Sequence, residues 1–366
     1  MVLHHKDNEY IDCPSIKAGY ETNWLFTFPH INTAVSELFR VIRRRDIPEQ
    51  YTFMLTNDDG GAFTIHVVGE LQDDGMPTVV LFHGLCGGYY ASYMQSFAYA
   101  FRKAGFRVVK VNARGCAEYK LNTPIYFCAT HTKDHKMAVD TVAKMFPSSQ
   151  LFGIGFSLGA NVLLHYLEEN PTTPLTACIG FSVAFDIPAC DKHLNTLIPK
   201  YTTNFVLAYF IKEFLTSNKH MFGFADWDKI TKYNTLQELD EAVLIKVFKY
   251  SSLDDYYQAS SCSRCVKNVT IPFLVVNAED DLVCPKHTIA FSEISQNPNV
   301  ALVLTKYGGH MGWASAIPLL TKDTLIEKKE SLPFFKHDRF DFEPYLSMTN
   351  SWSEQVAIEY LQKFIK

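Results

Sequence analysis

The segment Gly155-Phe156-Ser157-Leu158-Gly159 carries the clearest chemical signal in the chain. An apolar run, Leu151–Phe156, leads into it, and a helical pattern with Val162, Leu163, Tyr166 and Leu167 follows. A serine held on a sharp strand-to-helix turn leaves no room for side chains two residues to either side, so both flanking positions must be small. Such a turn lifts the hydroxyl clear of a sheet and points a helix N-terminus at it. The plainer alternative is a serine that only caps the helix. As a nucleophile, a hydroxyl near its ordinary pKa needs a base, and the base needs an orienting acid.

In that architecture the three groups follow in the chain order serine, acid, histidine, each just after a strand. After the apolar run Pro272–Asn277 come Glu279, Asp280 and Asp281, and after Val300–Thr305 comes Gly308-Gly309-His310-Met311-Gly312. His310 sits among glycines that would let a loop carry the imidazole to a sheet edge. Asp280 and Asp281 compete for the acid; Asp281, four residues before Pro285, is preferred. His131 and His135 are spaced for one helical face but lack a third ligand, so no metal site is expected there. His165 reads as a packed or surface residue of the helix after the turn.

A third element, His83-Gly84-Leu85-Cys86-Gly87-Gly88, directly follows the run Thr78–Phe82. Acyl transfer builds negative charge on the former carbonyl oxygen, and two pre-aimed backbone N–H groups can stabilise it. Leu158, after the serine, and Leu85, in this loop, are the expected donors.

Positioning these groups requires a particular order of elements. Thr78–Phe82, Phe106–Val111, Leu151–Phe156, Ala177–Phe181, Pro272–Asn277 and Val300–Thr305 read as buried strands. Helical patterns lie between them at Ser92–Lys103, Asp134–Phe146, Ala160–Glu168 and Lys286–Ser295. Apolar strands alternating with amphipathic helices predict a mostly parallel sheet covered on both faces. Tyr51–Leu55 and Phe63–Val68 predict a hairpin ahead of it. The alternation breaks after Phe185. The expected organisation is an N-terminal extension over 1–50, a core over 51–184, a helical cap insertion over 185–268 and the remaining core over 269–366. Thr33–Arg45 reads as a helix ending in three arginines, after an aromatic run at Trp24, Phe26 and Phe28, and Ser351–Ile365 as a closing helix.

Composition narrows the function classes. Of 366 residues, 47% are hydrophobic and 20% charged, ordinary for a globular chain, and the net charge of −5 gives no reason to expect nucleic acid. Nine cysteines, an odd number scattered through apolar runs, read as reduced buried thiols in a cytoplasmic protein. Cys262 and Cys265 form a lone C-x-x-C without a second pair at zinc spacing. The opening segment has no apolar stretch of a secretory signal, and no run is long enough to span a bilayer.

At these residues the sequence resembles the α/β-hydrolase superfamily. It is most similar to abhydrolase-domain family 4, with the animal abhydrolase-domain proteins one and three and the yeast medium-chain ethyl ester synthase/esterases. The strings HGLCGG at 83–88, NARGC at 112–116, GFSLGAN at 155–161, SSLDDYY at 251–257, NAEDD at 277–281 and QNPNVALVLTKYGGHMG at 296–312 carry the resemblance. It implies the α/β-hydrolase fold with a cap, and a triad of Ser157, Asp281 and His310 acting on ester bonds of acyl lipids without metal or organic cofactor. Animal members resemble phospholipases with an N-terminal membrane anchor, and the front of this sequence has no counterpart to it. The stretch that follows His310, through residue 345, is longer than the family leads one to expect.

Within the insertion, Tyr201–Leu215 places Phe205, Tyr209, Phe210 and Phe214 on an apolar surface that could line an acyl tunnel or touch a bilayer interface, or simply form core. Tyr89 and Tyr90, beside the Leu85 loop, are further substrate-contact candidates. The expected partner is an acyl lipid or other ester, with peripheral membrane contact an open alternative and the oligomeric state undetermined. An acyltransferase using the same triad, and a catalytically silent module on this fold, are the competing readings.

Overall fold

The computed structural model describes residues 2–4, 11–22, 27–42, 50–313 and 351–366. Trp24, Phe26, Arg43–Arg45 and the stretch 314–350 lie outside the described residues.

Nine strands form one sheet in the order β1-β9-β8-β7-β6-β4-β5-β3-β2. They are β1 (Val2–His4), β2 (Gln50–Thr56), β3 (Ala62–Val68), β4 (Thr78–Phe82), β5 (Arg107–Asn112), β6 (Leu151–Phe156), β7 (Leu175–Phe181), β8 (Phe273–Ala278) and β9 (Val300–Thr305). Strands β4 to β9 pair in parallel, whereas β2, β3 and β1 are antiparallel additions at the two edges. Every residue of β4, β5, β6, β8 and β9 is buried, as continuous apolar strands of a doubly covered sheet must be. This is the mostly parallel, doubly covered sheet expected from the alternation, and the α/β-hydrolase fold that the resemblance implies.

Five helices come first along the chain: α1 (Pro14–Ala18), α2 (Pro29–Ile42), α3 (Ser92–Lys103), α4 (Lys133–Met145) and α5 (Leu158–Glu169). One face of the sheet packs against α4 and α5 through Val139, Val142, Leu163, Leu164 and Leu167. The other packs against α3 and the C-terminal helix Trp352–Gln362 through Phe97, Phe101, Val356 and Leu361. The segment set apart as an N-terminal extension is integrated with this second layer: Ile11, Cys13 and Ile16 are buried in it, and β1 closes the sheet beside β9. The helix expected over Lys286–Ser295 is broken instead into a 3₁₀ turn, Lys286–Thr288, and a short helix, Phe291–Gln296.

Between β7 and β8 the chain forms a set of helices, of which Phe205–Ser217 is the longest. Ile211, Phe214 and Leu215 join Phe222, Val243, Tyr256 and Tyr257 in a third apolar cluster. Leu85 and Cys86 pack against its edge, so this cluster covers the loop after β4. All nine cysteines are free thiols. Among the described residues, no helix is long and apolar enough to cross a membrane.

The connection from β4 runs to β5 on one side, while β6 continues the sheet on the other. Loops leaving the carboxyl ends of β4 and β6 therefore flank a topological switch point, where open α/β sheets place their ligand crevice.

Candidate active site

Ser157 occupies the single residue between β6 and α5 with φ 53 and ψ −116. A serine there is held in a sparsely populated conformation, the kind a surrounding structure must impose. Two glycines allow it. A Cβ on Gly159 would lie 2.4 Å from the Phe82 carbonyl oxygen, and one on Gly155 would lie 2.4 Å from Ala160 Cα. The Ser157 side chain makes no capping bond to α5, so the plain capping role is not the one it plays.

Its hydroxyl meets His310 Nε2 at 2.9 Å instead. His310 Nδ1 lies 2.9 Å from Asp281 Oδ2 and 3.1 Å from Oδ1. The Asp281 side chain is fully buried, while the imidazole keeps 17% of its surface exposed. Asp281 Oδ1 also accepts the backbone N–H groups of Val283 (2.8 Å) and Cys284 (2.9 Å), which fix the carboxylate plane. The turn leading toward Pro285 thus presents Asp281, and residues far apart in sequence converge at one sheet edge.

The competing carboxylate has a different task. Asp280 Oδ1 accepts the Gly309 N–H at 2.9 Å, anchoring the loop that carries His310. Burial pushes the Asp280 carboxyl up to about 6, with the neighbouring Asp281 adding to the rise and backbone N–H groups opposing it. A folded-state pKa above the unfolded value means that this group favours folding at low pH, a contribution lost as pH rises through about 6. Asp280→Asn keeps an acceptor for Gly309 but carries no charge. Its Tm, relative to the native protein, is expected to climb between pH 5 and pH 8; thermal melts at the two pH values check this, and an unchanging difference would contradict it.

The loop after β4 is pinned on both sides. His83 Nδ1–H donates to the Gly84 carbonyl at 2.7 Å, and His83 Nε2 accepts the Ala113 N–H at 3.0 Å. Only a neutral imidazole can donate and accept in this way, and burial lowers the His83 pKa to about 4. The Gly84 N–H donates to the Tyr93 hydroxyl at 2.9 Å. A Cβ on Gly84 would approach Ser157 Cβ to 3.2 Å, so the loop lies directly beside the nucleophile turn. Leu85 follows in this loop, and Leu158 supplies the first N–H of α5, one of the donors with no partner inside a helix. The NARGC string braces the same loop: Asn112 Oδ1 accepts the Tyr89 N–H, and the buried Arg114 binds Asp134 and Asp59.

Several groups around the triad carry no motif of their own. Thr33 Oγ1 accepts the His310 N–H at 3.0 Å, and Arg40 Nη2 donates to the carbonyls of Met311 and Gly312. Helix α2 thereby buttresses the histidine loop from the front of the chain. Ser182 Oγ accepts the Met311 N–H at 2.9 Å. His83 could have been found from its place at the end of an apolar run; Thr33 and Arg40 offer no such signal, since they act on backbone atoms far along the chain.

The substrate-contact candidates fare differently. Tyr89 stacks on His66 with ring centroids 3.6 Å apart and donates its hydroxyl to Glu118, contacts that tie it to the β3–β5 side. Tyr90 is exposed. Phe205 and Tyr209 stand about half exposed on the outer side of their helix, so neither lines a tunnel; Ala208, Ile211 and Phe214 make its inward face. The helix is apolar nearly all round, which is why its buried side could not be read from the sequence. His131 approaches Asp134, His135 stacks on Phe82, and His165 is buried against the Ser260 carbonyl.

Comparison with known proteins bears on the family and the fold. A family model described as "Hydrolase_4: Serine aminopeptidase, S33" matches residues 75–313. A protein named "Phospholipase ABHD3" from Bos taurus is 36% identical over 243 residues, covering 66% of this chain and 59% of the relative. A "Monoacylglycerol lipase" from Saccharomyces cerevisiae is 28% identical over 253 residues, covering 66% of this chain and 56% of that protein. This chain thus spans less than two thirds of the length of either relative. The solved Pyrococcus furiosus esterase Pf2001 superposes with a TM-score of 0.52 at 14% identity, over 87% of this chain and 94% of the other, a likeness of fold. The resemblance carried by the sequence motifs is thereby placed on a matched family model: the chain belongs to the Hydrolase_4 family of α/β hydrolases.

Proposed function

We propose that this protein is a serine hydrolase that cleaves carboxylic esters of acyl lipids by two-step acyl transfer. The observation that carries the reading is an imidazole held between the Ser157 hydroxyl at 2.9 Å and a buried Asp281 carboxylate at 2.9 Å. His310 takes the Ser157 proton as the oxygen attacks the ester carbonyl, and the Leu85 and Leu158 amides receive the developing oxyanion. Protonated His310 then releases the alcohol, and water resolves the acyl-enzyme by the reverse path. In this reading Asp281 orients the base.

Acyl lipids are favoured as substrates by the names of the phospholipase and monoacylglycerol lipase relatives and by the cap surface. We divide the chain accordingly into a core over 51–184 and 269–366 and a cap over 185–268. Leu197, Ile198, Tyr201, Phe205, Tyr209 and Phe210 are each 48–77% exposed within one stretch of the cap. Contiguous exposed apolar side chains of this size fit an interface with lipid better than water.

The direct test is a hydrolysis profile of p-nitrophenyl esters and phosphatidylcholine vesicles beside aminoacyl amides and an ethanol-supplemented arm. Ester cleavage with free fatty acid as product is expected. Preferential amide cleavage would replace the substrate class, and ethyl esters as the main product would make the enzyme a transferase. The cap surface has its own test. Burying a large apolar side chain contributes about 1.5–3 kcal/mol. Ile198→Asp with Phe205→Asp is therefore expected to lower vesicle hydrolysis by about tenfold or more while sparing a water-soluble short-chain ester. Equal losses on both substrates would count against membrane contact.

A further inference from the structure

At the far end of α5 from Ser157, three side chains of different chemistry converge. His165 and Glu168 lie one turn apart on that helix, and Cys265 faces them from the turn Ser263–Asn268, where the chain leaves the cap. One ligand atom from each, a ring nitrogen, a carboxylate oxygen and a sulfur, lies within 4.8 Å of the others. His165 and Cys265 are buried and Glu168 is partly exposed.

The hydrogens do not suffice for these contacts. His165 Nε2–H donates to the Ser260 carbonyl at 3.1 Å, which leaves Nδ1 as a bare lone pair in the neutral ring. Nδ1 lies 3.4 Å from Cys265 Sγ, and Glu168 Oε2 lies 3.0 Å from the same sulfur. Two acceptors thus face one thiol proton. A cation would satisfy both acceptors and the sulfur together. Zinc bond lengths of about 2.0–2.3 Å to N, O and S ligands imply ligand-to-ligand separations of roughly 3.3–3.7 Å in a tetrahedron. The 3.4 Å from Sγ to Nδ1 falls in that range, and the carboxylate, 3.0 Å from the sulfur, would move outward by about half an ångström on binding. The outer contacts suit a metal as well. The Ser260 carbonyl fixes the histidine tautomer, and Asn268 Nδ2 donates to Glu168 Oε1 at 2.9 Å, orienting the carboxylate. Asp281, Cys284 and His310 form the other such group among the described residues, but that set is the triad with a neighbouring thiol.

We propose that His165, Glu168 and Cys265 form a zinc site with water in the fourth position, closing the joint between the nucleophile-bearing helix and the chain returning from the cap. On binding, the Cys265 S–H proton is released to solvent and the sulfur coordinates as thiolate. The divalent charge is then balanced by thiolate and carboxylate. Arg264 Nε lies 3.9 Å from Glu168 Oε2, a half-exposed pair worth little, while its Nη1 is held by the carbonyls of Gln258, Ala259 and Ser261. Cys262 takes no part: its Sγ donates to the Ala184 carbonyl. His165 is eight residues from Ser157, about 12 Å along a helix, so the ion braces the fold and does not join the chemistry.

The test uses the full chain stripped with chelator and titrated with Zn²⁺ and Co²⁺. One equivalent is expected to bind, with a thiolate-to-Co²⁺ charge-transfer band and a raised Tm with Zn²⁺. Cys265→Ser and His165→Gln are expected to lose the band and at least tenfold in affinity, whereas Ser157→Ala retains both. Absence of saturable one-equivalent binding, a Co²⁺ spectrum without the thiolate band, or equal binding by Cys265→Ser overturns the proposal. Where Cys265→Ser fails to fold, the Co²⁺ spectrum and the binding stoichiometry of the native chain decide alone. None of these readouts depends on ester hydrolysis.

Discussion

Ser157→Ala is expected to abolish covalent capture by a fluorophosphonate probe and to lower ester turnover by about 10⁴–10⁶-fold, while leaving Tm nearly unchanged. The two halves of that expectation have separate origins. The hydroxyl bonds to His310 Nε2 and does not cap α5, so its removal costs the fold little. The imidazole left behind is partly exposed and can turn to water. The backbone strain at φ 53 is the same for alanine as for serine. What disappears is the atom that forms the acyl-enzyme, leaving the amides of the turn and of the Leu85 loop to catalyse unaided. Probe labelling, steady-state rates and a melting curve on one preparation check all parts. Persistent labelling would place the nucleophile elsewhere, and a large drop in Tm would give Ser157 a structural part that its contacts do not describe.

How much of this was legible in the sequence depends on the range of the signal. The parallel strands read well because burial on both faces makes them continuously apolar: Thr78–Phe82, Leu151–Phe156 and Val300–Thr305 end where the pattern ends. Ser157 and His310 were marked by glycines whose absence of side chain is itself the requirement. Edge strand β1 is three residues long and its pairing with β9 rests on backbone atoms, which leave no pattern to read. The same holds for Thr33 and Arg40, which grip main-chain atoms of the histidine loop. The two cysteines of the lone C-x-x-C take separate partners, which their spacing does not reveal. Its second cysteine meets His165 and Glu168, which lie about a hundred positions earlier, while its first turns to a carbonyl. Side-chain direction also escaped the reading: Phe205 and Tyr209 are apolar, yet point outward.

The contacts favour Asp281 over Asp280 as the orienting acid, and that preference yields the sharpest remaining expectation. Asp281 Oδ1 accepts two backbone N–H groups, from Val283 and Cys284, while Oδ2 lies nearer His310 Nδ1. In Asp281→Asn the amide has one acceptor oxygen, and the two N–H groups claim it. The NH₂ must then occupy the Oδ2 position and donate to His310 Nδ1. That contact forces the ring proton onto Nε2, where it points at the Ser157 hydroxyl, and the base is lost without any loss of shape. In the serine-protease triad a tautomer error of this kind costs about 10⁴ in kcat, and a similar drop is expected here with KM little changed. Asp280→Asn, which alters only a loop anchor, is expected to stay within a few-fold of native turnover. Steady-state kinetics of the two variants side by side decide the assignment. Equal losses would mean that the two carboxylates act as one unit, and a larger loss at Asp280 would transfer the orienting role to it.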